Sequence, residues 1–191
     1  MQVIDTGLAD VKIIQPARRG DDRGWFAEFF NRDAFAAAGL PSQFMQDNQS
    51  HSAQGVLRGL HYQLGQPQGK LVRCLAGHIW DVAVDLRRDS PDFGRHIGIS
   101  LRPETEAGDL QMLWIPEGFA HGFLVLSESA EVLYKTTAGY HPQGERCIRW
   151  DDPTLAIAWP LAGISPIISA KDTQGANFLD AELPPAISIV S

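Results

Sequence analysis

Turn-forming residues punctuate the centre of this chain at short intervals, and the segments between them alternate polar and apolar side chains. Gly65 to Gly69 with Pro67, Ala76-Gly77, Ser90-Pro91, Pro103, Glu106 to Asp109, Glu117-Gly118, Ser127 to Ser129 and Pro142 to Gly144 all carry turn chemistry. In Asp81-Val-Ala-Val-Asp-Leu-Arg87 the bulky apolar residues are Val82, Val84 and Leu86, and in His96-Ile-Gly-Ile-Ser-Leu-Arg102 they are Ile97, Ile99 and Leu101. A period of two sends successive side chains to opposite faces, so both segments are expected strands. Short strands at such close spacing point to an all-β sandwich or barrel.

Helix is expected at two places only. Asn31-Arg-Asp-Ala-Phe-Ala-Ala-Ala-Gly39 has a capping side chain, an alanine-rich body and a terminating glycine. Asp151-Asp-Pro153 offers an acidic cap ahead of proline at a first helical position. The remaining C-terminal segment, with Pro160, Pro166, Pro184 and Pro185, reads as extended chain wrapped over the barrel. No linker-like stretch divides the 191 residues, so residues 1 to 191 are expected to form one domain.

Composition narrows the function. The formal net charge of −7 argues against a general nucleic-acid surface, which needs clustered cations. An anionic ligand would instead meet a local basic pocket, with Arg18, Arg19, Arg23, Arg58, Lys70, Arg73 and Lys171 as candidates. Apolar runs such as Gly122 to Leu126 are too short to cross a bilayer, and Met1-Gln-Val-Ile-Asp-Thr lacks the plan of a signal peptide, so a cytoplasmic protein is expected. The two cysteines, Cys74 and Cys147, sit in apolar or strand-like surroundings without a CxxC spacing, and two buried thiols are expected rather than a disulfide.

Two stretches combine proton-transfer and anion-binding groups. The first is Gly55-Val-Leu-Arg-Gly-Leu-His-Tyr-Gln63, closed by Gln68-Gly-Lys70; the second is Trp114-Ile-Pro-Glu-Gly-Phe-Ala-His-Gly-Phe123, followed by Tyr134-Lys135. His61 is suited to exchange protons near neutral pH, although a hydrogen-bonded core histidine would look the same. Tyr134 shares a strand face with Val132 and Thr136, so its phenol enters the barrel interior if Val132 does. His121 is either a wall of the same cavity or a strand residue beside a glycine. Asp172, in Ser169-Ala-Lys-Asp172, either orients an imidazole or completes a helix-capping box. For Arg23, Glu28, Gln46 and Asn48 the local sequence supports a polar rim, and for Asp47 and Glu145 solvated surface groups. Arg58 and His61 have opposite strand parity, so both reach one cavity only if the chain bulges or kinks, with Gly59 the expected place.

Together these segments resemble the dTDP-4-dehydrorhamnose 3,5-epimerase family. The likeness rests on Arg58-Gly-Leu-His-Tyr-Gln63, Gln68-Gly-Lys-Leu-Val-Arg73, Asp81-Val-Ala-Val-Asp-Leu-Arg87, Trp114 to Ser127, Ile148-Arg-Trp-Asp-Asp-Pro153 and Lys171-Asp172, and runs from about Val11 to Asp172. It implies a cofactor-free, cupin-type jelly roll that inverts C3 and C5 of dTDP-4-dehydro-6-deoxy-D-glucose on the way to dTDP-L-rhamnose. By the same resemblance His61 would be the base, Asp172 its orienting partner, Tyr134 the acid and Lys70 the cation that stabilises the C4 oxyanion. Arg23, Glu28, Gln46, Asp47, Asn48, Arg58, His121, Glu145 and Lys171 would contact the nucleotide sugar, and Tyr140 would stack on thymine. The family's homodimers share N-terminal residues between active sites, so Arg23 and Glu28 would act in trans. The chain departs from the family in lacking a second aromatic near Ala138-Gly-Tyr140 and in having Ala170 where a glutamate is common.

Three other functions stay open at this level: a single-centre epimerase of a related dTDP-4-keto sugar, a metal-dependent cupin using His61, His78 and His121, and a non-catalytic sugar-binding jelly roll.

Overall fold

The computed structural model describes residues 1–184, so Pro185 of the expected C-terminal wrap lies outside the described residues. The elements in chain order are β1 (Gln2–Asp5), β2 (Lys12–Gln15), β3 (Arg18–Asp21), β4 (Gly24–Ala27), α1 (Arg32–Ala37), β5 (Gln46–Ala53), β6 (Val56–Gln63), β7 (Lys70–Ala76), β8 (Ile79–Asp85), β9 (His96–Leu101), β10 (Met112–Ile115), β11 (Phe119–Val125), β12 (Ser129–Thr136), β13 (Glu145–Cys147) and β14 (Ile167–Ile168), followed by a 3₁₀ turn at Asp172–Gln174. Both strands expected from alternation are present, as β8 and β9.

Two sheets face each other. One has the order β1-β2-β10-β7-β12-β5 and the other β13-β6-β11-β8-β9, with β14 added alongside β6 and a separate β3-β4 hairpin. Every pairing between strands is antiparallel except β14 on β6. Chain neighbours such as β6 and β7, or β11 and β12, fall in opposite sheets, which is the jelly-roll arrangement expected from the sequence.

The core has an interior and two outer covers. Between the sheets lie Val72, Ile79, Ala83, Leu113, Phe119, Phe123, Val125 and Val132. On the outer face of the β6-β11-β8 sheet, Val82, Val84 and Leu86 pack instead against Leu155, Trp159, Phe178 and Ala181 of the C-terminal segment. The bulky apolar half of β8 therefore faces away from the interior, leaving Asp81 and Ala83 to face in. On the other sheet α1 covers Ile14, Leu71 and Met112 with Phe35.

Local chemistry explains α1. The Asn31 side chain accepts hydrogen bonds from the backbone N–H groups of Asp33 and Ala34, and beyond the C-terminus the Leu40 N–H bonds to the Phe35 carbonyl at 2.9 Å while Gly39 turns at φ +71°. The second expected helix is a single turn. Asp152, not Asp151, caps it, its carboxylate accepting from the N–H groups of Thr154 and Leu155 at 2.9 Å each. The turn stops because Ala156 adopts φ +47° and the following residues are drawn onto the sheet, where Trp159 donates to the Trp150 carbonyl at 2.8 Å. The rest of the described segment runs extended, β14 included, between turns such as the one at Ala162 and Gly163, with φ of +45° and +86°, and the 3₁₀ turn. Among the described residues no helix is long and apolar enough to cross a membrane.

Candidate active site

The site grows from an irregularity in β6. Across the β6-β11 ladder His61 pairs with His121 but Arg58 pairs with Phe123, so one extra residue is accommodated in β6. The shift reverses strand parity and lets Arg58 and His61 line one cavity. Gly59 makes it possible: its φ is +111°, and a Cβ there would sit 2.6 Å from both the Gly122 Cα and the His121 carbonyl oxygen. The Gly59–Leu60 peptide is cis.

His61 is held from behind. Its Nε2 lies 2.7 Å from Asp172 Oδ1, while the other carboxylate oxygen accepts from the Gly59 N–H at 3.2 Å. The Ser169 hydroxyl accepts from the Asp172 N–H at 3.1 Å. The capping contact and the imidazole contact therefore coexist, because they use different atoms of Asp172. Burial raises the Asp172 carboxyl, but the His61 ring and the Gly59 N–H outweigh it and hold the group below the ordinary carboxylate range. Asp172 arrives as an anion that fixes the ring and leaves Nδ1 as the nitrogen available to take a proton.

The facing sheet supplies the opposite wall. Tyr134 of β12 lines the same cavity, its ring packed against the interior cluster that holds Val132. Burial raises its phenol above the usual value, so it stays protonated at neutral pH. Lys70, at the start of β7, is buried and donates to the His61 carbonyl at 3.3 Å. Desolvation lowers its ammonium to about 8, against opposing pulls from Asp81 and Glu145. The Arg58 guanidinium rests on the Ser52 hydroxyl at 3.0 and 3.1 Å.

The cavity of about 330 Å³ also takes in Gln46, Asn48, His121, Tyr140 and Glu145. Gln46 and Asn48 alternate on the inner face of β5 and bond to each other at 2.7 Å. Glu145 accepts from the Tyr140 hydroxyl at 2.6 Å and pairs with Lys171, which ties the C-terminal segment to the rim. His121 is buried with Nε2 3.0 Å from both oxygens of Asp81. Desolvation lowers its pKa despite the carboxylate, which favours a neutral ring.

Three sequence-derived candidates lie elsewhere in this chain. Asp47 falls on the outer face of β5, where it pairs with Lys135 at 2.8 Å, because strand alternation sends it away from Gln46 and Asn48. Arg23 is bound to Asp21 in the exposed β3-β4 hairpin, and Glu28 follows that hairpin. The three histidines of the metal-cupin alternative do not converge. His78 bonds to the Ser100 hydroxyl at 2.7 Å, whereas the one metal-competent group of His, Cys, Asp or Glu among the described residues is His61, Cys147 and Asp172.

The family model described as dTDP-4-dehydrorhamnose 3,5-epimerase matches residues 5–180. The chain belongs to the dTDP-4-dehydrorhamnose 3,5-epimerase family. It is 53% identical over 186 residues to the dTDP-4-dehydrorhamnose 3,5-epimerase of Pseudomonas aeruginosa, covering 97% of this chain and 100% of that protein. Among solved structures it is similar to the dTDP-6-deoxy-D-glucose-3,5-epimerase of Legionella pneumophila in complex with dTDP-4-keto-L-rhamnose, with a TM-score of 0.89, 45% identity and coverage of 96% and 97%. A 3′-monoepimerase from Streptomyces bikiniensis in complex with dTDP-quinovose has the same fold at 31% identity, with a TM-score of 0.84 and coverage of 95% and 92%.

Several epimerase-site residues escaped the sequence reading. Ser50, Gln63, Gln68 and Phe123 line the cavity, and Asp81 supports His121 from below. Ser50 Oγ is buried without a hydrogen-bond partner in the described structure, an acceptor and donor left for a bound molecule. The period-two pattern of Gln46-Asp-Asn-Gln-Ser50 would have grouped Ser50 with Gln46 and Asn48 and set Asp47 apart. For Asp81 the signal was a carboxylate sharing a strand face with Ala83.

Proposed function

We propose that this chain converts dTDP-4-dehydro-6-deoxy-D-glucose into dTDP-4-dehydro-L-rhamnose by inverting C3 and C5. The observation that carries this reading is the pairing of an Asp172-held imidazole with the Tyr134 phenol on facing sheets around one cavity. Both carbons flank the C4 ketone, so loss of either proton gives an enolate. His61 takes the proton through Nδ1, and the anionic Asp172 stabilises the imidazolium that forms. Negative charge then develops on the C4 oxygen, where the Lys70 ammonium interacts more strongly than with the neutral ketone; a donor of this kind contributes on the order of 3 kcal/mol. Tyr134 returns a proton from the other wall, and return to the opposite face is what inverts the centre.

Binding falls to the remaining groups. Arg58, Lys171 and Arg23 suit the diphosphate, with Gln46, Asn48, His121 and Glu145 on sugar hydroxyls and the exposed ring of Tyr140 on thymine. Arg23 and Glu28 act from a partner subunit in this reading. A dimer is supported by the apolar side chains exposed on the N-terminal strands, with Trp25 48% and Phe26 69% exposed. Both cysteines are unpaired, which suits a reducing cytoplasm.

The test is incubation with the keto sugar in deuterated water, coupled to a reductase that traps the product. The expected outcome is deuterium at C3 and C5 and an L-rhamno product. Exchange at neither carbon overturns the proposal, and exchange at one reassigns the chain to single-centre epimerases. His61→Ala should abolish both exchanges. Tyr134→Phe should keep part of the exchange while losing inversion, and an unchanged product mixture would remove the phenol from the chemistry.

A further inference from the structure

One metal-binding side chain beside the base has no part in the mechanism above. Cys147 is the cross-strand partner of His61 in the β13-β6 ladder, so the two side chains leave the same face side by side. The ligand atoms of His61, Cys147 and Asp172 lie within 4.8 Å of one another. Zn²⁺ takes thiolate sulfur, imidazole nitrogen and carboxylate oxygen at about 2.0–2.3 Å, which sets such donors roughly 3.5 Å apart in a tetrahedral site. Assembling that geometry means drawing the sulfur in and opening the 2.7 Å His61–Asp172 contact, each by about an ångström. The charges suit a dication: a thiolate and a carboxylate neutralise it while the imidazole stays neutral.

There is also a way in. A cleft of about 190 Å³ lined by Arg149, Trp150, Asp151, Asp172 and Thr173 reaches Asp172 separately from the substrate cavity. The Arg149 guanidinium at this cleft is paired with Asp151 at 2.6 Å and so does not repel a cation as a free charge would.

We propose that His61, Cys147 and Asp172 form an inhibitory site for a thiophilic divalent cation, Zn²⁺ or Cd²⁺; the inhibition rests on His61 being the base. Binding breaks the Cys147 S–H bond and the Nε2–H hydrogen bond to Asp172. The thiol proton goes to solvent, the imidazole proton moves from Nε2 to Nδ1, and bonds form from the metal to sulfur, Nε2 and a carboxylate oxygen. No electron is transferred. A proton on Nδ1 occupies the nitrogen that must be empty to abstract one, so turnover stops although the cavity stays open. Hard cations such as Mg²⁺, which do not seek sulfur, are without effect.

The experiment titrates the full chain with Cd²⁺, reading thiolate-to-metal charge-transfer absorption and, in parallel, deuterium exchange into the sugar. Wild type should develop the band to about one ion per chain and lose exchange, with EDTA reversing both. Cys147→Ser, which keeps Cys74, should give no band, retain metal-free exchange and need on the order of a hundredfold more Cd²⁺ for the same inhibition. Cys147→Ala repeats the measurement if the serine variant is unstable. A wild type without the band, a band that persists in the Cys147 variants, or equal Cd²⁺ sensitivity in wild type and variants overturns the proposal. The absorption needs no substrate: a wild type that bound Cd²⁺ through Cys147 but never exchanged deuterium would keep the metal site and remove the epimerase reading.

Discussion

Lys70 carries the clearest pH signature in the cavity. Its ammonium is lowered to about 8 by burial, so the charge is complete well below that pH and is lost as pH rises through it. If that charge steadies the enolate, kcat/KM falls on the alkaline side with a midpoint near 8. Lys70→Arg, which keeps its charge throughout, should remove that limb, and Lys70→Ala should lower kcat by roughly 10²–10³-fold. A limb at the same pH in the arginine variant assigns it to another group. Residue type and strand period marked His61 and Tyr134 as cavity candidates and Lys70 as a basic-pocket candidate, and the chemical roles expected of them came from the family resemblance. Asp81 was not legible, because a carboxylate in an alternating strand looks solvent-facing until the covered outer face of β8 is known. Asp47, a solvated surface group by its local sequence and a site residue only by the family resemblance, stands outside the cavity because alternation excludes the residue between Gln46 and Asn48.

The β6 bulge and the Asp152 turn are the elements on which the site depends. Gly59 faces backbone, not side chains, at 2.6 Å, so nothing near it can yield to a methyl group. Gly59→Ala should destabilise the fold by roughly 2–4 kcal/mol, seen as a lower denaturation midpoint at unchanged slope. A midpoint equal to wild type would mean that β6 absorbs the change. Asp152 is nearly fully buried and its carboxylate accepts from Thr154, Leu155 and, at 2.8 Å, Phe178. Asp152→Ala should cost about 2 kcal/mol or more and loosen the segment that carries Asp172, read as a parallel loss of stability and exchange. The irregularity in β6 was legible because two functional residues of opposite parity had to share a cavity. The length of the turn at Asp152 was not, since a cap and a proline specify a start but nothing in the sequence marks Ala156 as the stop.

At the scale of the whole molecule, an all-β sandwich or barrel was legible from turn spacing and alternation and its jelly-roll form from the family resemblance, but not which face of each sheet would be covered from outside. β8 reads identically whether its valines point into the roll or under the C-terminal segment, and only the docked Trp159 and Phe178 decide it. The proposed action of Arg23 from a partner subunit has a direct check. His61→Ala and Arg23→Ala chains, each inactive alone, should recover about one quarter of wild-type activity on mixing, because a mixed dimer then holds one intact site. No recovery after subunit exchange would keep Arg23 within its own subunit. Asp172 contacts a strand 111 positions earlier in the chain. A ribosome that has released everything up to the Tyr134 strand has therefore produced most of the pocket without a working catalyst, and competence arrives only when the tail closes over β6. Turnover by this protein is thus a readout of finished synthesis.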